Sequence, residues 1–206
     1  MGDILVVSRE NLFAGRYFQG FISSDDNNYI ESILKNFEYR ERNEELENNP
    51  EFQQIIPYVW IINTVLKKVF AYRRASGKER KERRLVNKWS CGVGGHIDRD
   101  TEEGAKDPIF QAMMREMKEE VIMTKYPKPR VIGFLNDDSD SVGKVHFGVV
   151  AVAETTENVL KGSQEMAEGN FYSIDEVEKL FTNPDNDIEK WTRISWPFVK
   201  DYLSKL

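Results

Sequence analysis

The sequence predicts an α/β protein, and three observations carry that expectation. Apolar residues recur at two spacings, one suited to strands and one to helices, in segments that follow one another along the chain. The segments rich in β-branched and aromatic residues are separated by turn-forming clusters and polar runs. With 206 residues, 40% of them hydrophobic and 12% aromatic, the chain can bury one substantial core, so a single domain with an appendage accounts for its length.

DILVVSR, from Asp3 to Arg9, reads as a short buried strand. From Asp26 to about Tyr39, Ile30, Ile33, Leu34 and Phe37 fall at helical spacing, with Ser23, Ser24, Asp25 and Asp26 as candidate caps. The polar run from Arg40 to Pro50 is the expected boundary: residues 1–50 form an N-terminal α+β extension packed on a core domain of residues 51–206. YVWIIN and VLKKVFAYRR then form a strand pair interrupted near Asn63 and Thr64. The cationic stretch from Arg73 to Lys88 is a solvated loop on its plain reading and a phosphate-facing rim on its functional one. WSCGVGG, from Trp89 to Gly95, is a strand running into a tight turn. After the insertion RDTEEGAK, a helix starts with Asp107 as N-cap and Pro108 in its first position. RVIGFLNDD and KVHFGVVAVAET form a hairpin around DSDSVG. NFYSIDEVEKLF is a strand leading into a helix capped by Ser173, with Glu176 completing a capping box. The C-terminal IEKWTRISWPFVKDYLSKL is helical at both ends and broken or kinked before Pro197.

Composition narrows the function. A single cysteine excludes an internal disulfide and fits a reducing compartment, and Met-Gly-Asp does not begin a secretory signal, so the expected location is cytoplasmic. The longest apolar stretch, around Ile55 to Leu66, holds Pro57, Asn63 and Thr64 and is too short to span a bilayer, which argues against a membrane partner. A formal charge of −6 argues against nucleic acid as a partner, so any phosphate recognition must be local.

The helix after Pro108 carries Ile109, Phe110, Met113, Met114, Met117 and Val121 on one side. Beside that face, Glu116 and Glu120 stack one turn apart, Glu119 lies next to them, and Arg115 borders the same sector. Like charges at this spacing destabilise a helix. Partly buried, two carboxylates about 5 Å apart repel by roughly 3 kcal/mol at an effective dielectric near 20. A divalent cation removes that cost. Oxygen donors without His or Cys suit Mg2+ or Mn2+, and magnesium recruits substrate phosphates as further ligands. The cluster therefore points to a phosphorylated small molecule.

These residues resemble the box of the Nudix hydrolases, GX5EX7REUXEEXGU. Gly95 matches its first glycine, and Arg115, Glu116, Met117, Glu119 and Glu120 match REUXEE without a gap. The chain departs from the pattern in three places: the spacer after Gly95 is longer, Asp107 stands where the first glutamate is expected, and Val121 replaces a glycine. Asp107, Glu102 or Glu103 is left to brace Arg115. The resemblance implies a Nudix-type α/β/α sandwich with a mixed sheet over about Glu51 to the C-terminus. It further implies a Mg2+- or Mn2+-dependent hydrolase of a diphosphate linkage in a nucleoside diphosphate derivative or related molecule. By the same likeness Glu116 and Glu120 would be the main metal ligands, Glu119 would bind a second ion or its water, and the Gly95 carbonyl would complete the shell.

Outside the box, Arg73, Arg74, Trp89 and His96 are candidate substrate-binding residues, and Glu165 and Glu168 are candidate general bases by position. Trp89 reads equally as core, whereas His96 reads more simply as a turn or packing residue, His146 as a strand residue and Cys91 as a small buried side chain. A competing reading is a Nudix-like module that binds a nucleotide or sugar phosphate as a sensor. The N-terminal extension could cover the pocket or build a homodimer.

Overall fold

A computed structural model describes residues 2–75 and 86–206. Residues 76–85 of the expected basic loop lie outside the described residues. The chain resolves into two compact units. The first gathers residues 1–58, 94–113 and 131–151, and the second residues 59–93, 114–130 and 152–206.

In the first unit, β1 (Asp3–Ser8) buries Ile4, Leu5, Val6 and Val7 and pairs antiparallel with β3 (Glu38–Glu41) and with the start of β4 (Phe52–Asn63). β2 (Gly20–Ser23) pairs with β9 (Arg130–Asn136), which in turn neighbours β10 (His146–Thr155). Gly133 is required there, because a Cβ would lie 2.4 Å from the Ile22 carbonyl oxygen. Two short helices, α1 (Arg9–Phe13) and α2 (Tyr29–Asn36), bring Phe13, Phe18 and Tyr29 against Phe134 and Phe147, with neighbouring ring centroids 5.2 to 6.3 Å apart. These aromatic contacts, most of them edge-on, add to the area they bury and tie residues of the first fifty to β9 and β10.

Several local expectations needed correction here. α2 is shorter than the periodicity suggested, and its cap is Asn28, whose side chain accepts from the Glu31 amide, rather than a residue of the 23–26 cluster. The polar run after Tyr39 holds the end of β3 and a short 3-10 turn at Leu46–Asn48, whose Leu46 packs with Ile4, Val6 and Phe52. The insertion before Asp107 also contains a helical turn, α3 (Arg99–Glu102).

In the second unit, β4 ends at Asn63 and β5 (Lys68–Arg74) returns beside it. The Asn63 side chain makes that turn, its Oδ1 accepting from the Val65 and Leu66 amides. β12 (Met166–Tyr172) pairs antiparallel with β5, while β6 (Trp89–Ser90) and β7 (Gly92–Val93) pair with β5 and β4. The final turns of α4 (Pro108–Glu120) continue into β8 (Val121–Ile122), which pairs with β11 (Leu160–Lys161). α5 (Ile174–Thr182) opens on the expected capping box, with Ser173 and Glu176 each accepting from the other's backbone amide.

α6 (Lys190–Ser204) corrects the C-terminal expectation, because it runs through Pro197 as one helix. Trp196 is stacked at 6.0 Å on Trp60 and lies 5.9 Å from Phe181. Burial of Trp196, Val199 and Leu203 on one face outweighs the backbone hydrogen bond that proline removes. Among the described residues no helix is long and apolar enough to cross a membrane.

Candidate functional site

The acidic residues are placed by the two ends of α4. At its start, Asp107 Oδ1 accepts from the Phe110 amide at 3.0 Å, with Pro108 in the first helical position. At its end, the Glu120 carbonyl accepts from the Gly162 amide at 2.8 Å and the Ser163 amide at 3.1 Å, which satisfies one of the carbonyls a helix terminus leaves open. Ile109, Ala112, Met113 and Met117 are buried. That apolar face fixes the helix rotation, and the rotation sets Glu116, Glu119 and Glu120 at its border.

Arg115 holds two of the three acids: its Nη1 donates to Glu116 Oε1 at 2.7 Å and to Glu119 Oε2 at 3.2 Å. Glu116 is only 8% exposed, whereas the Glu119 side chain is 57% exposed. Glu120 is under greater stress. Its Oε2 is shielded from solvent and accepts no hydrogen bond. Burial pushes its carboxyl up to about 8; Arg74 opposes that rise, and the negative charges of Glu116, Glu165 and Glu189 add to it. Among the described residues, no three His, Cys, Asp or Glu side chains are gathered closely enough to hold an ion as they stand. The donor chemistry nonetheless fits a hard dication, since the unused Glu120 oxygen and its acidic neighbours are all carboxylates.

Three of the charged groups around Glu120 come from elsewhere in the second unit. Arg74, at the end of β5, places its Nη2 3.9 Å from Glu189 Oε2, with side chains 14% and 12% exposed, and stands 5.5 Å from the centroid of the Tyr72 ring. Glu189 occupies the N-cap position of α6, yet its side chain makes no cap hydrogen bond. Sequence reasoning missed Glu189. No motif marks it, and the long-range bridge of Ile188 to Trp89 helps bring it to this place. Glu165 reaches the same region through its carbonyl, which accepts from the Ala75 amide.

The other candidates separate cleanly. Trp89 is 7% exposed, donates from Nε1 to Asn186 Oδ1 at 3.2 Å and meets Tyr172 edge-on at 5.7 Å, so it fills the core of its unit. Arg73 and Glu168 pair with each other at 2.6 Å across β5 and β12. Cys91 is buried, and burial, with the Glu189 charge second, pushes its thiol up, away from nucleophilic use.

Gly95, His96 and Asp107 belong to the first unit. Gly94 precedes them because a Cβ there would lie 1.8 Å from the Pro57 carbonyl oxygen, a close approach that only glycine permits. His96 Nε2 shares a hydrogen bond of 2.7 Å with Gln54 Oε1, and the His96 and His146 rings meet edge-on at 5.4 Å. Burial, then the charges of Arg42 and His146, hold His96 well below the ordinary imidazole range, so it is neutral at physiological pH. Of the acids open to the bracing role, Glu102 is the buried one, with Oε2 accepting from the Asp98 amide and the Thr101 hydroxyl. Glu103 is exposed and pairs with Arg99, and Asp107 acts as the helix cap.

No family model matches the chain. It is 33% identical to Protein YmaB of Bacillus subtilis (strain 168) over 215 residues, covering 97% of this chain and 96% of that protein. Among solved structures, Tm1382, a protein assigned provisionally to the Nudix hydrolases, superposes with a TM-score of 0.74 at 22% identity, covering 97% of this chain and 99% of the other. The NUDIX domain of Shewanella oneidensis NrtR, solved with ADP-ribose, gives 0.54 at 13% identity over 75% of this chain and 89% of that one. The MutT protein of Methanosarcina mazei Go1 gives 0.52 at 20% identity over 73% and 95%. The fold is thus α/β with a mixed sheet, of the type shared by these Nudix and MutT structures.

Proposed function

We propose that this chain, which belongs to the family of Bacillus subtilis Protein YmaB and has the Nudix-type fold, is a divalent-metal-dependent hydrolase of a diphosphate linkage in a nucleoside diphosphate derivative. The observation that carries the reading is Glu120: a shielded carboxylate with an oxygen that no donor satisfies, beside further carboxylates, in a helix whose other features are well made. Leaving such a group unmatched costs stability, and a dication offsets that cost.

Glu116, Glu119 and Glu120 would hold Mg2+ or Mn2+. When bound, the ion would neutralise charge on phosphate oxygens and lower the pKa of a water. Arg115 orients Glu116 and Glu119 through its two hydrogen bonds. Arg74 supplies a cation for the substrate phosphates, and Glu165, within electrostatic range of Glu120, is the candidate acceptor for a proton from the attacking water. ADP-ribose heads the substrate screen because it is bound to the NrtR domain of the same fold.

The test is hydrolysis of ADP-ribose, dinucleotides, nucleoside diphosphate sugars, damaged nucleotides and CoA compounds, with and without Mg2+. Turnover of at least one compound that needs the ion and is lost in Glu120→Gln is expected; metal-independent turnover would refute the proposal. The bridge from Arg115 to Glu116 and Glu119 favours a second reading, in which those acids are neutralised internally and the chain binds a nucleotide or sugar phosphate as a sensor. ADP-ribose binding that is equally tight in EDTA, with no hydrolysis across the panel, would support it.

A further inference from the structure

The fold places the Glu189 backbone, but neither helix capping nor the acidic helix explains its buried side chain. At an N-cap, Ser, Thr, Asp and Asn serve the helix because a short side chain reaches the open amides. Glu189 holds that position in α6 without capping, and it is only 12% exposed. Its backbone is fully committed, the amide donating to the Trp89 carbonyl at 2.9 Å and the carbonyl accepting from the Arg193 amide at 3.1 Å. Its carboxylate is turned to Arg74, with one oxygen shielded from solvent and accepting no hydrogen bond. Burying a carboxylate there instead of using a capping residue costs stability twice.

Arg74 Nη2 stands 3.9 Å from Glu189 Oε2, and Arg74 also lies within electrostatic range of Glu120. If Glu120 takes a dication, as the proposed function requires, the ion repels the guanidinium, and Arg74 needs an anion elsewhere to stay near it. Glu189 is then a partner that keeps Arg74 at the site, and the Tyr72 ring centroid stands 5.5 Å from the guanidinium. We propose that Glu189 is a positioning residue that holds Arg74 over the site for the phosphates of the substrate, an inference that rests on the proposed function.

This makes an uncommon prediction of sign. Removing a negative charge near an anion site should tighten anion binding on charge alone. If Glu189 acts through Arg74, Glu189→Gln should instead weaken it. The experiment is calorimetric titration of inorganic pyrophosphate into the Mn2+-loaded full chain, comparing the unsubstituted protein, Glu189→Gln, Arg74→Gln and the double variant, with far-UV circular dichroism as a check of folding. Glu189→Gln and Arg74→Gln should each weaken binding about tenfold, the size of a lost charge-assisted hydrogen bond. The double variant should bind no worse than Arg74→Gln alone. Glu189→Asp, one methylene shorter but still charged, should recover part of the loss.

Tighter binding in Glu189→Gln, or losses that add in the double variant, would overturn the inference and leave the proposed function standing. No pyrophosphate binding by the unsubstituted chain with Mn2+ would overturn both. If Glu189→Gln does not fold, Glu189→Asp against Arg74→Lys in the same titration decides the matter, because both keep their charges. Both should then weaken pyrophosphate, and unchanged binding in either would defeat the positioning role.

Discussion

The final turns of α4 and the whole of α5 belong to the same unit, and each helix sets a glutamate at one terminus. Glu176 stands in the first turn of α5, accepts from the Ser173 amide and pairs with Lys68, and these hydrogen bonds hold its carboxyl below the ordinary range. Glu120 ends α4, where the helix dipole disfavours an anion, and burial pushes it up to about 8. One glutamate stabilises its helix and the other strains it. A chain able to build the α5 cap could have built a quiet α4 terminus as well, so the strain at Glu120 has a source other than folding.

The difference is broken most directly by asking which glutamate matters for turnover. Glu120→Gln should reduce metal-dependent hydrolysis about a hundredfold or more, in the range found for groups that hold a catalytic ion. Glu176→Gln should leave kcat and KM within about twofold. Equal losses in the two variants would remove the functional contrast between the helices.

Stability against pH should separate the same pair with opposite slopes. The folded-state pKa of Glu120 is raised from 4.5 to about 8, so between those values the unfolded chain gives up a proton that the folded chain keeps. Its contribution therefore falls as pH rises through that window and reaches its full penalty above pH 8. In chelator-treated protein, Glu120→Gln should be more stable than the unsubstituted chain at pH 9 by a few kcal/mol, and by almost nothing near pH 4. Glu176, whose pKa is lowered, acts in the other direction: its contribution is present above the ordinary carboxyl range and disappears in acid. Urea denaturation at a series of pH values reads both effects.

The ordinary helix was legible in the sequence, and so was half of the strained one. Ser173 and Glu176 reveal α5 because a capping box is local, and the 3.6-residue spacing with Asp107 and Pro108 gives the start and rotation of α4. The register of Arg115, Glu116, Glu119 and Glu120 follows from that rotation. What surrounds Glu120 was not legible, because Arg74, Glu165 and Glu189 reach it through pairings of β5, β6 and β12 that no short stretch encodes. Short elements were missed for a related reason. β2, β3, α1, α3, β8 and β11 are too brief to show a period, and their tertiary contacts decide them. Pro197 misled in the opposite sense, since a proline signal is local while the packing of Trp196 against Trp60 and Phe181 is not.

Capping should prove smaller than the effects at Glu120 and purely structural. Ser173→Ala removes the acceptor for the Glu176 amide and should cost about 1 kcal/mol by urea denaturation, with hydrolysis unchanged. A loss of turnover as large as that of Glu120→Gln would mean that α5, too, is tied to the site.

The smallest effect belongs to Arg73 and Glu168, which face each other across β5 and β12 and carry half-exposed side chains, 41% and 49%. Arg73 was a candidate for substrate binding and Glu168 for the general base, but their 2.6 Å contact lets each neutralise the other. An exposed pair of this kind contributes about 0.2–1 kcal/mol and is screened by salt. A double-mutant cycle of Arg73→Gln and Glu168→Gln should yield a coupling in that range at low ionic strength and close to nothing at high ionic strength. Turnover should change by no more than about twofold in either variant. A hundredfold fall for Glu168→Gln alone would make Glu168, rather than Glu165, the candidate general base and would move the reactive edge of the site outward along β12.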